Sequence, residues 1–241
     1  MNIHRRHLFL WPVACWAAGL PKAADAAAPA QVWPLDALPA GAVLRKVTAA
    51  VQEHAGRKAL RVELTDEVSS DWFGRDYGDK PTFVRIPAGL KNGRIEVDLW
   101  ARRNGQGPKD ARAFVGLAYR INADASAYES VYLRPLNGRK LNPPAPRDRR
   151  AVQYYAYPDW KFDRLRSEYP DGRYEAGADI RDAEWTTLRL ELDGPRVQVF
   201  VNDQPVLDLK EAKATPVAGD IGLWVDIGTE AWFQNLRVQP R

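Results

Sequence analysis

The chain has 241 residues, of which 45% are hydrophobic, and a formal net charge of +4. Three of its 35 basic residues and one of its 31 acids lie in the first 26 positions, so the remainder holds 32 basic and 30 acidic residues. This near balance excludes the charge excess of a nucleic-acid-binding protein. Cys15 is the only cysteine, and His54 is the only histidine after residue 26. The remainder therefore lacks disulfides, thiolate nucleophiles and multi-histidine metal centres, which leaves carboxylates, Tyr, Lys, Arg or a hard cation for any chemistry.

Residues 1–26 have the pattern of a cleaved export signal. Arg5 and Arg6 precede an apolar run at 8–14 that is too short to span a bilayer. Ala24-Asp25-Ala26 has the form of a signal-peptidase site. The paired arginines are similar to a twin-arginine signal, and a Sec signal begins with similar charges. We predict a periplasmic or extracellular protein with a single domain at residues 27–241.

Short segments of alternating polarity, bounded by turns, follow one another along the rest of the chain. Strands are predicted at residues 43–47, 59–64, 83–87, 94–100, 113–121, 128–134, 186–192, 197–201, 205–207, 221–225 and 231–238. Asp193-Gly194 and Asn202-Asp203 are typical of hairpin turns. Segments with sustained helical spacing and a cap are missing, so little α-helix is expected. Many short strands with frequent turns predict a β-sandwich or barrel.

His54 belongs to Glu53-His54-Ala55-Gly56-Arg57, a pattern typical of a hairpin turn. A Ser-His-Asp triad in residues 27–241 would have to be built around this histidine. We expect an exposed turn residue rather than a catalytic base.

Several stretches resemble known families. The segments 185–188, 197–202, 221–224 and 233–236 resemble the closing half of concanavalin A-like or laminin-G-like sandwiches. The segments 128–135, 152–154 and 228–233 are similar to the 3-keto-disaccharide-hydrolase-like domains of secreted bacterial proteins. The resemblance implies an all-β, two-sheet antiparallel jelly-roll sandwich, with the larger sheet curved and a ligand in its concave groove. The superfamily includes lectins, glucanases and adhesion modules, so it implies fold more specifically than activity.

Strand alternation assigns side chains to the two faces of a sheet. In residues 128–134, Val131 and Leu133 are expected to face the core, with Tyr132 and Arg134 on the opposite face. Gly116 and Ala118 are expected on that same open face, where small side chains would leave space for a groove. The candidate ligand-binding residues are aromatic rings that stack on sugars and arginines that bind hydroxyls or carboxylates: Arg120, Tyr132, Arg134, Tyr154, Trp160 and Trp224. The alternative is a solvated face with ordinary Tyr–Arg packing.

The segment from Asn137 to Arg150 contains three prolines, five basic residues and one acid. A connection of this length inside a compact domain is often functional. It follows the strand that carries Arg134, so we expect it to overhang the groove. Its local positive charge favours an anionic ligand, such as a uronate or a sulfated sugar. The alternative is a solvated insertion.

Catalysis in such a groove requires an ionisable base. Glu96-Val97-Asp98 matches the opening of the laminarinase-type motif Glu-x-Asp-x-(x)-Glu, but the last glutamate is absent. The resemblance to 3-keto-disaccharide hydrolases implies only a base that removes the acidic proton alpha to a ketone. Glu129, Glu175 and Asp98 are the candidates. Glu129 shares the face of Val131, so an ion pair with a buried arginine is the alternative.

Three functions remain open. The leading one is an exported saccharide-binding protein. The second is a carboxylate- or Tyr-dependent glycosidase or lyase that acts on a modified disaccharide in the same groove, which needs a base of shifted pKa. The third is a protein-binding adhesion module, which needs a large exposed apolar patch. A bound Ca²⁺ has loop candidates without diagnostic spacing: Asn122, Asp124, Asp226 and Glu230.

Overall fold

A computed structural model describes residues 29–70 and 78–241. The predicted export signal, residues 1–26, lies outside the described residues. The first eight strands are β1 Gln31–Trp33, β2 Val43–Arg45, β3 Val47–His54, β4 Arg57–Leu64, β5 Phe83–Leu90, β6 Gly93–Arg103, β7 Val115–Ile121 and β8 Tyr128–Leu133. The remaining strands are β9 Val152–Tyr157, β10 Glu175–Ala176, β11 Thr186–Asp193, β12 Arg196–Val201, β13 Gln204–Leu209, β14 Gly219–Val225 and β15 Thr229–Pro240.

Helical structure in the described residues is short. The α-helices are α1 (Asp66–Ser70) and α2 (Phe162–Glu168). Single 3₁₀ turns at Pro135–Asn137, Arg139–Leu141 and Arg147–Arg149 shape the proline-rich segment that follows β8. Within the described part of the chain, none of these helices is long and apolar enough to cross a membrane.

The strands form two antiparallel sheets, which confirms the predicted all-β jelly-roll sandwich. The eight-stranded sheet has the order β13-β12-β11-β6-β15-β4-β3, with β1 paired to β15. The seven-stranded sheet has the order β10-β9-β8-β7-β14-β5-β2. Sequence neighbours such as β7 and β8 pair directly, whereas β6 pairs with β11 and β15 from the end of the chain. Both sheets therefore close only when distant parts of the chain have come together.

The core lies between the sheets and follows the predicted alternation. Leu188 and Leu190 on β11 are fully buried, as are Val131 and Leu133 on β8. The β7–β8 register places Leu117 opposite Val131, so the apolar side chains of both strands share one face. Burial of each such side chain stabilises the fold by about 1.5–3 kcal/mol.

The opposite face of the seven-stranded sheet is an aromatic layer rather than an open groove floor. Tyr132 packs on Trp224 with ring centroids 4.8 Å apart, and Tyr155 packs on Trp224 at 5.7 Å. A Cβ added at Gly116 would lie 2.3 Å from the Val131 carbonyl oxygen. The glycine is therefore needed for close approach between β7 and β8. The expected space above it is filled by aromatic rings.

Candidate functional site

A cavity of about 470 Å³ opens beside this aromatic layer, a size typical of small-molecule sites. It lies on the seven-stranded sheet and not on the larger sheet, where the ligand groove was expected. Among the described residues, its charged wall consists of five arginines and three aspartates: Arg112, Arg134, Arg147, Arg150, Arg166, Asp79, Asp110 and Asp226. Three aromatic rings also line it: Phe114, Tyr132 and Phe162.

Local geometry explains why these side chains converge. Tyr132 and Arg134 are two residues apart at the end of β8, so extended backbone directs both to one face. Asp226 directly follows β14, and its N–H donates to the Phe114 carbonyl beside β7 (3.2 Å). Phe162 and Arg166 are four residues apart on α2 and share a helix face, with the Arg166 guanidinium 4.9 Å from the Phe162 ring centroid.

Asp79 is the most unusual residue of the cavity. It is only 1% exposed, and its backbone adopts the left-handed conformation (φ 52°), which costs free energy for a residue other than glycine. Its Oδ2 accepts the Phe162 N–H (2.7 Å), and its own N–H donates to Asp226 Oδ2 (3.1 Å). Its Oδ1 is buried and has no hydrogen-bond partner among the described residues. In the described part of the chain, Asp79 thus brings a carboxylate oxygen without a hydrogen-bond partner to the lining of the cavity.

The environment of Asp79 makes it a base suited to neutral pH. Burial raises its pKa to about 7, although the hydrogen bond from Phe162 opposes the rise. The nearby charge of Asp226 raises the pKa further, and Arg134 and the Tyr132 hydroxyl lower it. A carboxylate with this pKa can accept a proton and later return it near pH 7.

Asp226 has a different environment. Burial raises its pKa, but two backbone N–H groups oppose the rise. Ile227 N–H donates to Oδ1 (2.7 Å) and Asp79 N–H donates to Oδ2 (3.1 Å). Both oxygens already accept hydrogen bonds from the protein. Asp226 therefore holds the Asp79 segment in place, and Asp79 Oδ1 is the oxygen of the two carboxylates that has no hydrogen-bond partner among the described residues.

Glu175 binds three of the arginines that line the cavity. It accepts hydrogen bonds from Arg134 Nη1 (2.8 Å) and from Arg166 Nε (2.9 Å), and it pairs with Arg150 (3.4 Å). Burial raises the pKa of Glu175, but Arg166 and Arg134 outweigh this and hold it below its ordinary value. Glu175 is not among the residues that line the cavity. It fixes arginines and is placed poorly for the catalytic role that we considered.

Among the expected ligand contacts, the structure brings Tyr132 and Arg134 together on the cavity wall. Arg134 Nη2 donates to the Tyr132 hydroxyl (2.7 Å). Trp224 lies under the wall, fully buried, and its Nε1 donates to the Lys80 carbonyl (2.8 Å). Trp160 lies outside the cavity lining, where Arg164 stacks on its ring at 4.0 Å. Of these four residues, two are placed to touch a ligand.

Arg120, Glu129 and Tyr154 form a cluster in the protein interior, which corrects the expected placement of Arg120. Arg120 Nη1 donates to Glu129 Oε1 (2.6 Å), and the Tyr154 hydroxyl donates to Glu129 Oε2 (2.6 Å). The Glu129 side chain is 0% exposed. Arg120 has φ 52°, and the β14–β7 register shifts beside it, so a bulge turns its side chain away from the Tyr132 face. The ion-pair alternative for Glu129 describes this cluster.

Asp98 and His54 lie on the eight-stranded sheet and do not line the cavity. Asp98 accepts hydrogen bonds from Thr187 Oγ1 (2.7 Å) and Asn235 Nδ2 (2.9 Å) and pairs with Arg57. His54 ends β3 and stacks on Trp232 with centroids 3.6 Å apart, so it is half-buried rather than an exposed turn residue. Burial lowers the pKa of His54.

The four candidate calcium ligands are not assembled into one site. Asp226 lines the cavity. Asn122 and Asp124 both form hydrogen bonds with the Ser126 hydroxyl in the turn after β7. Glu230 pairs with Arg61 on β4. The described ranges contain no group of three or more acidic, His or Cys side chains that could hold a metal ion.

Sequence reasoning did not select Asp79, Phe162 or Arg166 as site residues. Asp79 stands in Gly78-Asp79-Lys80-Pro81, which has the composition of an ordinary turn. Its burial depends on α2 and on the end of β14, which are far away in the sequence. The proline-rich segment did carry a usable signal, because Asn137, Arg147 and Arg150 line the cavity as expected of an overhanging loop.

Comparisons with known proteins agree with this architecture. Comparison with curated proteins gave no match. The carbohydrate-binding module CBM66 from Bacillus subtilis superposes with a TM-score of 0.50 at 16% identity, over 81% of this chain and 96% of the module. A Bacillus subtilis protein of unknown function with a galectin-like fold superposes with a TM-score of 0.51 at 11% identity, over 90% and 99% of the two chains. At these identities the likeness establishes the fold.

The sequence profile of 3-keto-alpha-glucoside-1,2-lyase-like domains matches residues 67–239. The matched range includes every residue that lines the cavity. It also includes three stretches, 128–135, 152–154 and 228–233, whose resemblance to this group the sequence already indicated. The chain belongs to the 3-keto-alpha-glucoside-1,2-lyase-like domain family.

Proposed function

We propose that the protein is a lyase that cleaves 3-keto glycosides, with Asp79 as the base that removes the proton at C2. One observation carries this proposal: Asp79 lines the cavity, its buried Oδ1 has no hydrogen-bond partner among the described residues, and the pKa of its carboxyl group is about 7. The family to which the chain belongs is described by this chemistry.

A 3-keto sugar needs only a base for cleavage, because its C2 proton is adjacent to the ketone. Asp79 accepts that proton, and the electron pair of the C2–H bond moves toward the carbonyl as an enolate. The enolate then forms the C1=C2 double bond and restores the ketone, while the C1–O bond breaks. The glycosidic oxygen leaves with the electron pair of the C1–O bond, takes up a proton and departs as an alcohol. The step is redox-neutral and consumes no water.

The remaining wall supports this reaction electrostatically. Arg134 and Arg166 place positive charge around the cavity, where negative charge develops on the enolate oxygen. Arg166 uses Nε and Nη2 to bind Glu175, and the pair holds the guanidinium in a fixed position. Phe114 and Phe162 provide apolar surfaces of the kind that pack against sugar rings.

The test uses p-nitrophenyl 3-keto-α-glucopyranoside and measures the release of p-nitrophenolate, with the sugar product identified by NMR. We expect wild-type protein to release it and to produce an unsaturated keto sugar. Asp79→Asn keeps the shape of the side chain but removes the base, and should slow release about 10²–10⁴-fold. Asp110→Asn is the matched control, because Asp110 is an exposed aspartate on the same cavity and should leave the rate nearly unchanged.

Two results would reject the proposal. One is an Asp79→Asn protein with wild-type activity. The other is a wild-type protein that turns over neither this substrate nor 3-keto disaccharides, whether neutral or carrying a uronic-acid or sulfated unit.

A second candidate is saccharide binding without turnover. The cavity combines aromatic rings with arginine donors, the two features of saccharide recognition that do not need a base. The same 3-keto glycosides separate the candidates, because a binding protein would be stabilised against heat by a ligand that stays intact. The protein-binding module stays a prediction, since its diagnostic feature is an exposed apolar patch and not a charged cavity.

Two expectations from the sequence are also proposals. We propose that the protein is exported to the periplasm or the medium, on the basis of residues 1–26. We also propose that the saccharide is anionic, because five arginines face the cavity with three aspartates. Cell fractionation, with mass determination of the N-terminus, tests the first of these.

A further inference from the structure

The five arginines of the cavity fall into two groups. Arg134, Arg150 and Arg166 all pair with Glu175, so their charge is partly balanced within the protein. Arg112 and Arg147 form no ion pair with any carboxylate in residues 29–70 and 78–241. The Arg112 Nη1 instead donates to the adjacent Ala111 carbonyl (3.1 Å). Two guanidiniums that line a ligand cavity are thus left without an acidic partner in the described part of the chain.

These two arginines are close enough to affect each other. Burial lowers the pKa of Arg112, and the charge of Arg147 lowers it further. Asp110 offsets part of this effect, while Arg103 and Arg134 add to the repulsion. Like charges in a half-buried position repel each other more strongly than in water. An anion bound between them would remove this repulsion.

Asn137 adds a hydrogen-bond acceptor to the same cavity. It is 4% exposed, and its Nδ2 donates to the Arg150 carbonyl (3.0 Å), which fixes the amide. Its Oδ1 is buried and has no hydrogen-bond partner among the described residues. A buried acceptor without a donor destabilises the protein until a donor reaches it. A ligand hydroxyl in the cavity would satisfy it.

We propose that Arg112, Arg147 and Asn137 form a subsite for an acidic sugar unit. Arg112 and Arg147 bind its carboxylate or sulfate group, and Asn137 Oδ1 accepts a hydrogen bond from one of its hydroxyls. The inference rests on the proposed saccharide function and names the substrate class as uronic-acid or sulfated glycosides. The acidic group of the ligand is therefore expected beside Arg112 and Arg147, and not beside the arginines that pair with Glu175.

The experiment compares the binding of three glycosides by titration calorimetry: methyl α-D-glucuronoside, methyl α-D-glucoside 6-sulfate and neutral methyl α-D-glucoside. None carries a 3-keto group, so the result does not depend on elimination. We expect at least one acidic glycoside to bind roughly tenfold or more tightly than the neutral one. The acidic glycoside whose affinity exceeds that of the neutral glycoside by the larger factor shows whether the subsite prefers a carboxylate or a sulfate group.

Replacing Arg112 or Arg147 tests whether these two residues cause the tighter binding of acidic glycosides. Arg147→Gln and Arg112→Gln should each remove most of it while affinity for the neutral glycoside changes little. Arg149→Gln is the matched control, because Arg149 is an exposed arginine of the same segment that does not line the cavity. Arg147 forms no ion pair with a described carboxylate, so its replacement should leave the unfolding temperature unchanged.

Three outcomes would overturn the subsite: equal affinity for acidic and neutral glycosides, a preference that survives in the Arg112→Gln/Arg147→Gln double variant, or no binding of either acidic glycoside at about 10 mM. Failure to cleave any of the 3-keto glycosides would reject the lyase chemistry alone, because it leaves these binding comparisons unaffected.

Discussion

Replacing Asp79 by Asn should stabilise the protein from about pH 5 upward, because the buried carboxyl group ionises less readily in the folded state than in the unfolded state. Asn has nearly the same shape, can still accept the Phe162 N–H and carries no charge. A gain in stability together with a loss of activity is expected of a residue kept for chemistry. A residue kept only for structure would not show this combination.

The magnitude follows from the pKa. Asp79 has a pKa of about 7 in the folded protein and an ordinary value of 3.8. Between these values the folded state retains a proton that the unfolded state has released, so stability falls as the pH rises through this window. Each pKa unit corresponds to about 1.4 kcal/mol. The free energy of unfolding of Asp79→Asn should therefore exceed that of wild type by about 2 kcal/mol at pH 5 and by about 4 kcal/mol at pH 8.

Urea unfolding followed by tryptophan fluorescence, at several pH values from 5 to 8, measures this difference directly. Asp226 also has a raised pKa, so the wild-type slope contains its contribution, and only the difference between variant and wild type isolates Asp79. Asp110→Asn is the control and should follow wild type at every pH. A difference that does not change with pH, or a variant less stable than wild type at pH 8, would contradict a raised pKa for Asp79.

Three further predictions concern the pH profile, the interior cluster and the core. If Asp79 must be ionised to act, kcat/KM should fall about tenfold per pH unit below pH 7, and an acid limb near pH 4 would contradict this. Glu129→Gln should lower the free energy of unfolding by about 3–5 kcal/mol, because it leaves Arg120 buried without its charged partner. The folded fraction of this variant should keep the wild-type kcat. A loss of kcat would place Glu129 in the reaction. Val199→Asp should abolish folding, since Val199 is fully buried and the new charge would have no partner; circular dichroism that shows a native sheet would disprove the core assignment.

Regular alternation was enough to predict most of the sandwich. The predicted strand at 94–100 lies within β6, and the one at 186–192 lies within β11. The same rule placed Tyr132 and Arg134 on one face, where they now line the cavity. It failed at Arg120, because a single left-handed residue in β7 breaks the period of two that the rule assumes.

The sequence pattern does not identify Asp79 as a candidate base, because its burial and its raised pKa arise from contacts with distant parts of the chain. Asp79 is buried and desolvated by contacts with Phe162 and Asp226, which are 83 and 147 residues away in the chain. Glu129, Glu175 and Asp98 were selected because they lie in or near strands or a resembling motif. Each is already satisfied by arginine or hydrogen-bond partners, which strand pattern alone does not reveal.

We propose that Asp79 removes the C2 proton of a 3-keto glycoside. The most direct measurement uses a 3-keto glycoside carrying deuterium at C2 and follows that deuterium in the sugar product by mass spectrometry. We expect wild-type protein to release the aglycone and to form a sugar product that has lost the deuterium, and we expect Asp79→Asn to form almost no product. A sugar product that retains the C2 deuterium, formed at the rate of the unlabelled substrate, would contradict the proposal.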